Sequence, residues 1–296
     1  MKNSNFLLIL SVLLVLACKK QDNDKVVDSC YMNSNALTIM HNGTDREYVL
    51  YVPNSYDNSS SRPLMINFHG FGGGAGDFMD EADMRSLAEQ ENFIIVYPQG
   101  SCMNNFSHWN PCPFSADNKS AADDLGFVED MIVEISSNYN IDMERIYAAG
   151  YSNGGMMAYG LANHKSNLIA AVASVSGSML DCIGEVNHPM PVINLHGTLD
   201  DVIPYDGNSE YASVNSTVNH WLNFNNISNT PVISSKVNGS ITIEKYFYGQ
   251  GDNGVSVEVY KYVGGNHVWF NTTFEGKNAS ELVWDFVSKY DINGLR

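Results

Sequence analysis

Four short segments carry residue types suited to nucleophilic acyl transfer. Gly150-Tyr151-Ser152-Asn153-Gly154 is a G-x-S-x-G pattern. In that pattern a sharp strand-to-helix turn lifts a serine hydroxyl clear of its surroundings, and the flanking small residues avoid collisions. Taken alone it also describes a glycine-rich turn with a capping serine. His69-Gly70-Phe71-Gly72-Gly73-Gly74 is a loop whose backbone can approach a substrate closely and aim amide N–H groups at a developing oxyanion. A phosphate cradle would need a following Lys-Ser/Thr, which is missing. One oxyanion donor is expected from Asn153, directly after the nucleophile, and a second from Phe71, with Gly72 the next choice. His196-Gly197-Thr198-Leu199-Asp200-Asp201 offers an acid to orient a base. Sequence physics does not separate the two adjacent aspartates, and turn formation is the bland reading of both. Gly264-Gly265-Asn266-His267-Val268-Trp269 offers the base. His220 also lies downstream of the acid, but Val218–Leu222 around it reads as helix, where a packed histidine is ordinary.

Each of these segments follows a run that reads as a β-strand. Strands are predicted over 48–52, 64–68, 93–97, 146–149, 169–175, 192–195 and 255–263. Helical stripes alternate with them. Over 124–139 Phe127, Met131, Ile132 and Ile135 share one face, with Asp123 or Asp124 as N-cap, and 279–290 aligns Leu282, Val283, Phe286 and Val287. This alternation predicts an α/β fold with a mostly parallel sheet covered on both faces, whose ligands sit at the carboxyl ends of the strands. The order Ser152, Asp200, His267 is that of the α/β-hydrolases. No repeat or linker divides 36–296, which is expected to form one catalytic domain.

The set H-G-F-G-G at 69–73, Y-P-Q-G at 97–100, D-D-L-G-F at 123–127, G-Y-S-N-G-G at 150–155, H-G-T-L-D at 196–200 and G-G-N-H-V-W at 264–269 resembles the polyhydroxybutyrate-depolymerase and feruloyl-esterase group. That group lies within carbohydrate esterase family one, and the resemblance spans about 40–290. It implies Ser152 as nucleophile, Asp200 rather than Asp201 as acid, and His267 as base, with no metal or organic cofactor. The group usually has glycine before the catalytic histidine and threonine after it; Asn266 and Val268 stand there instead. Trp269 matches an aromatic that flanks the substrate in the group. Trp109, Tyr151 and Phe71 are further candidates for stacking on a feruloyl ring, a sugar or a polyester chain. Asp123 reads as a helix cap. The implied substrates are feruloyl or acetyl esters of plant-type polysaccharide, then hydroxyalkanoate oligomers. A serine peptidase on the same fold and an inactive binding protein are the rival readings.

Composition narrows the setting. The 296 residues carry a formal net charge of −17, a poor match for a phosphate backbone, and 44% hydrophobic residues exclude a disordered acidic tail. Lys2 followed by the apolar run Phe6–Ala17 reads as a signal-peptide core, too short to span a bilayer. Val15-Leu16-Ala17-Cys18 resembles a bacterial lipobox, which implies cleavage after Ala17, a lipid on Cys18 and display in the periplasm or on the cell surface; an ordinary secretory signal with an incidental cysteine, giving a secreted protein, is the rival reading, and polar 18–35 reads as a tether. A monomer is expected. Four cysteines are then left for an oxidising compartment. Nearness in sequence favours Cys102–Cys112, leaving Cys30–Cys182, although three pairings exist.

Overall fold

The computed structural model describes Cys30, 35–113, Ser115 and 118–296. The signal segment 1–17, Cys18 and nearly all of the tether lie outside these residues. The strands run, in chain order, β1 Leu37–His41, β2 Thr44–Tyr51, β3 Arg62–Phe68, β4 Ile94–Pro98, β5 Ser101–Met103, β6 Phe106–His108, β7 Ile141–Tyr151, β8 Ala171–Val175, β9 Val192–Gly197, β10 Val232–Asn238, β11 Ile241–Tyr248 and β12 Val257–Val263. The helices are α1 Ala75–Glu81, α2 Arg85–Glu91, α3 Asp124–Asn138, α4 Asn153–His164, α5 Val214–Phe224 and α6 Ala279–Val287.

Ten strands form one sheet in the order β1-β2-β4-β3-β7-β8-β9-β12-β11-β10. The six central strands, β4 to β12, are parallel, and an antiparallel pair closes each side. The runs that made these central strands readable are buried on both faces. Leu64, Met65, Ile66 and Phe68 of β3 and Ile146 to Ala149 of β7 are all fully covered, as expected of a parallel strand between helical layers. Asp123 does cap α3, its carboxylate accepting the Gly126 N–H at 2.9 Å. The sheet and its flanking helices are those of an α/β-hydrolase.

The second aspartate of D-D-L-G-F has a different task. Asp124 is buried, and its carboxylate accepts from Arg46 (2.8 Å), the Ser101 hydroxyl (2.6 Å) and the Asn110 amide (2.8 Å). It therefore ties β2 to the β5–β6 hairpin. That hairpin in turn holds the glycine loop after β3, because Ser107 takes the Gly72 N–H on its carbonyl at 2.8 Å.

The disulfides differ from the expected pairing. Cys30 bonds Cys102, and Cys112 bonds Cys182. Cys102 lies on β5, while the chain beyond β6 runs on across α4. Pro111 packs so tightly there that a Cβ on Gly160 would meet its carbonyl oxygen at 2.3 Å. That path carries Cys112 away from Cys102 and delivers it to the segment after β8, where Cys182 waits.

Candidate active site

The turn from β7 into α4 places Ser152 at φ 55°, ψ −119°, a conformation that costs energy for a side chain other than glycine and is held only by dense surroundings. Those surroundings are the glycines. A Cβ on Gly150 would sit 2.2 Å from the Gly154 oxygen, and one on Gly154 would sit 2.1 Å from the Phe68 oxygen. Only bare backbone lets the strand, the turn and the helix start interlock this closely.

Ser152 Oγ lies 2.9 Å from His267 Nε2, and His267 Nδ1 lies 2.7 Å from Asp200 Oδ2. The structure thus brings together Ser152, His267 and Asp200 from the ends of β7, β12 and β9. Asp201 is exposed, and His220 packs against Trp221 on α5. Asp200 Oδ1 accepts the Val202 and Ile203 amides at 3.0 and 2.8 Å. Burial by itself would raise the Asp200 pKa. Hydrogen bonds from His196, His267 and the Ile203 amide outweigh it and hold the carboxyl well below the usual carboxylate range. The loops bearing acid and base are stitched together by Leu199 N–H to the Gly265 carbonyl (2.8 Å) and Gly264 N–H to Thr198 Oγ1 (2.9 Å).

The two oxyanion donors expected from the sequence are the Asn153 amide and one amide of the loop after β3. Asn153 opens α4, where the first N–H groups have no partner within the helix. Its side-chain amide is clamped both ways by the Trp109 backbone, at 2.7 and 3.1 Å. Gly72 has already given its N–H to Ser107, so Phe71 is the better placed of the two loop candidates. His69 braces the same loop. Its Nε2 accepts the Gly100 N–H at 3.0 Å, which leaves Nδ1–H to donate to the Gly70 carbonyl at 2.7 Å. Burial pulls its pKa down to about 4.

The aromatic candidates divide. Phe71 is half exposed at the cleft and stacks on Phe106, with centroids 5.6 Å apart. Trp109 and Trp269 do not reach the cleft, contrary to expectation. Trp109 is fully buried between Phe68 and His69, its indole N–H on the His69 carbonyl at 3.0 Å. Trp269 is buried against Phe78 and bonds Ser280 at 3.1 Å. Tyr151 props the base loop, its hydroxyl donating to the His267 carbonyl at 2.9 Å. Burial and the charges of Glu81 and Asp200 push that phenol up to about 12.

A cleft of about 700 Å³ opens at Ser152. Met156, Met179, Leu180 and Ile203 give it an apolar floor, and Lys119, Asp181 and Glu210 stand among its polar lining. Sequence reasoning missed this floor, as well as the bracing roles of His69, Ser107 and Asp124. A histidine–glycine pair directly follows β3 and another ends β9, and this repetition was the available signal for His69.

A serine–histidine–aspartate relay at the strand ends of an α/β-hydrolase sheet defines the class as serine hydrolase. Residues 46–213 match the family model Esterase PHB depolymerase, and the chain belongs to that family. Among curated proteins it is similar to the bifunctional acetylxylan esterase/xylanase XynS20E of Neocallimastix patriciarum, at 27% identity over 85% of this chain and 34% of that protein. It is also similar to feruloyl esterase B of Piromyces equi, at 26% identity over 83% of this chain and 46% of that protein. The chain therefore spans between a third and a half of these relatives' length. Among solved structures, an acetyl xylan esterase from Aspergillus awamori superposes with a TM-score of 0.63 at 15% identity, covering 86% of this chain and 98% of that one, which shows the shared fold.

Proposed function

We propose that this chain is a serine carboxylic-ester hydrolase, with 36–296 as its catalytic domain. The observation that carries the reading is the continuous relay from Ser152 through His267 to Asp200, and we assign the Asn153 and Phe71 amides to it as oxyanion donors. Ser152 Oγ attacks the ester carbonyl as His267 Nε2 takes its proton. Asp200 holds the ring in the Nδ1–H tautomer and stabilises the cation that forms. The two amides receive the negative charge on the carbonyl oxygen, each contributing about 3 kcal/mol to the barrier reduction. His267 then protonates the departing alcohol. Water, activated by the same imidazole, releases the acid and regenerates Ser152.

The substrate class we propose is a feruloyl or acetyl ester on a plant-type polysaccharide, with hydroxyalkanoate oligomers second. The names of the relatives support the first choice. The cleft adds a physical argument: its apolar floor is far larger than an acetyl group requires and suits an aromatic acyl group, while its polar lining suits sugar hydroxyls. We further propose export as a lipoprotein anchored through Cys18. The two disulfides are compatible with an oxidising compartment.

Hydrolysis of p-nitrophenyl acetate by the domain and by Ser152→Ala tests the reaction. The wild type should turn over and the variant should not, and equal inactivity of both would refute the reading. Product analysis on feruloylated xylan, acetylated xylan and polyhydroxybutyrate tests the substrate order.

A further inference from the structure

Asp200 has a second imidazole beside it. His196, next to last in β9, is buried, and its Nε2 lies 2.8 Å from the Ile203 carbonyl oxygen and 3.2 Å from Asp200 Oδ2. A carbonyl can only accept, so Nε2 carries a hydrogen, and that hydrogen is shared between carbonyl and carboxylate. Oδ2 is the same oxygen that receives His267 Nδ1–H at 2.7 Å. Nδ1 of His196 has no hydrogen-bond partner among the described residues, so the ring's hydrogen bonding is concentrated at Nε2. Tyr205 meets the ring edge-on, centroids 5.9 Å apart, and fixes its plane.

Closing the turn after β9 does not by itself require this ring. Thr198 N–H already reaches the Tyr262 carbonyl, Leu199 N–H reaches that of Gly265, and the Val202 and Ile203 amides are spent on Asp200 Oδ1. What His196 adds is a fourth donor on the carboxylate, placed on the one oxygen that faces the base. We propose that His196 is a positioning residue for ester hydrolysis, acting on the reaction only through Asp200. It keeps Oδ2 from swinging out of line with His267. By sharing that oxygen's charge, it also keeps the proton on His267 Nδ1 rather than letting it cross to the carboxylate. The inference rests on the Ser152–His267–Asp200 reading.

Two amide replacements separate position from mere polarity. His196→Gln places its side-chain nitrogen near the former Nε2, and His196→Asn places it near the former Nδ1. With p-nitrophenyl acetate, H196N should lower kcat on the order of tenfold to a hundredfold with KM unchanged, the range expected for a lost hydrogen bond to a charged group. H196Q should retain most of the wild-type kcat. In the Asp200→Asn background, H196N should add no further loss, because its route to the reaction is already cut. Should H196N not fold, His196→Leu gives the same readout. Losses that multiply in the double variant, a rise in KM in place of a fall in kcat, or H196Q as slow as H196N would each overturn the proposal. An active Ser152→Ala would instead defeat the relay itself, whatever the His196 variants do.

Discussion

Lowering the pH from 7 to 4 forces a proton toward His69, an imidazole that the folded protein keeps buried and neutral. Its pKa falls from an ordinary 6.5 to about 4, chiefly through burial and in small part through nearby His108, with the Gly70 carbonyl opposing. The unfolded chain therefore binds this proton more readily than the native protein throughout that window. Stability contributed by His69 is full above pH 6.5 and declines as the pH falls toward 4. The fall from 6.5 to about 4 corresponds to about 3 kcal/mol in the acid limit, most of it already lost at pH 4. The full figure applies because the side chain is about 1% exposed and solvent screens it little. The loss also has a local meaning: a protonated Nε2 can no longer accept the Gly100 N–H, and the glycine loop that carries Phe71 loses its brace. Urea denaturation of wild type and His69→Asn at pH 7 and pH 4 measures this. The wild type should lose about 3 kcal/mol more than the variant between the two conditions, since every other titrating group is common to both. His69→Gln serves if the first variant folds poorly. Parallel pH dependence in wild type and both variants would refute the reasoning.

Further outcomes follow from the same geometry. Asp200→Asn should lower kcat by about 10³- to 10⁴-fold, because an amide no longer fixes the His267 tautomer, and pre-steady-state acylation would locate the loss. The folded Asp200 pKa is depressed, so its contribution to stability is present above the ordinary carboxylate range and vanishes as the pH falls through the folded value. The melting temperatures of wild type and D200N should therefore converge under strong acid, and a constant gap would count against a depressed pKa. Replacing Cys112 and Cys182 together by serine should cost about 2–4 kcal/mol, since the bond closes a span of 70 residues. Both cysteines adjoin the cleft lining at Pro111 and Asp181, so KM for a bulky ester should rise more than KM for p-nitrophenyl acetate, and equal shifts would argue against a shaping role.

The central strands were legible because burial on both faces leaves nearly continuous apolar runs, as in Leu64–Phe68 and Val192–Leu195, each interrupted by a single buried asparagine, Asn67 or Asn194. The triad was legible because each member follows such a run on a loop rich in glycine. The outer strand β10 was not, since all seven of its residues are exposed and Ser234, Ser235 and Lys236 leave no alternation to read. The short hairpin β5–β6 escaped for a related reason: three-residue strands carry too little pattern, although Ser107 there holds the glycine loop after β3. Trp109 misled because an aromatic residue type suits stacking on a substrate and packing in the core equally, and here the ring is fully buried. The disulfides misled likewise, since a ten-residue spacing is weaker guidance than the path of the chain over α4.

One covalent bond sets how far such an enzyme could roam. Cys30 is fastened to Cys102 on the hairpin that holds the glycine loop after β3. In the lipid-anchored form proposed above, Cys30 is only twelve positions along the chain from Cys18. Fully drawn out, they reach about 40 Å. The catalytic body would then be confined to a thin layer just above the membrane. Opening the Cys30–Cys102 bond would move the point of attachment to the start of β1 at Leu37, nineteen residues from Cys18, and lengthen that reach to about 65 Å.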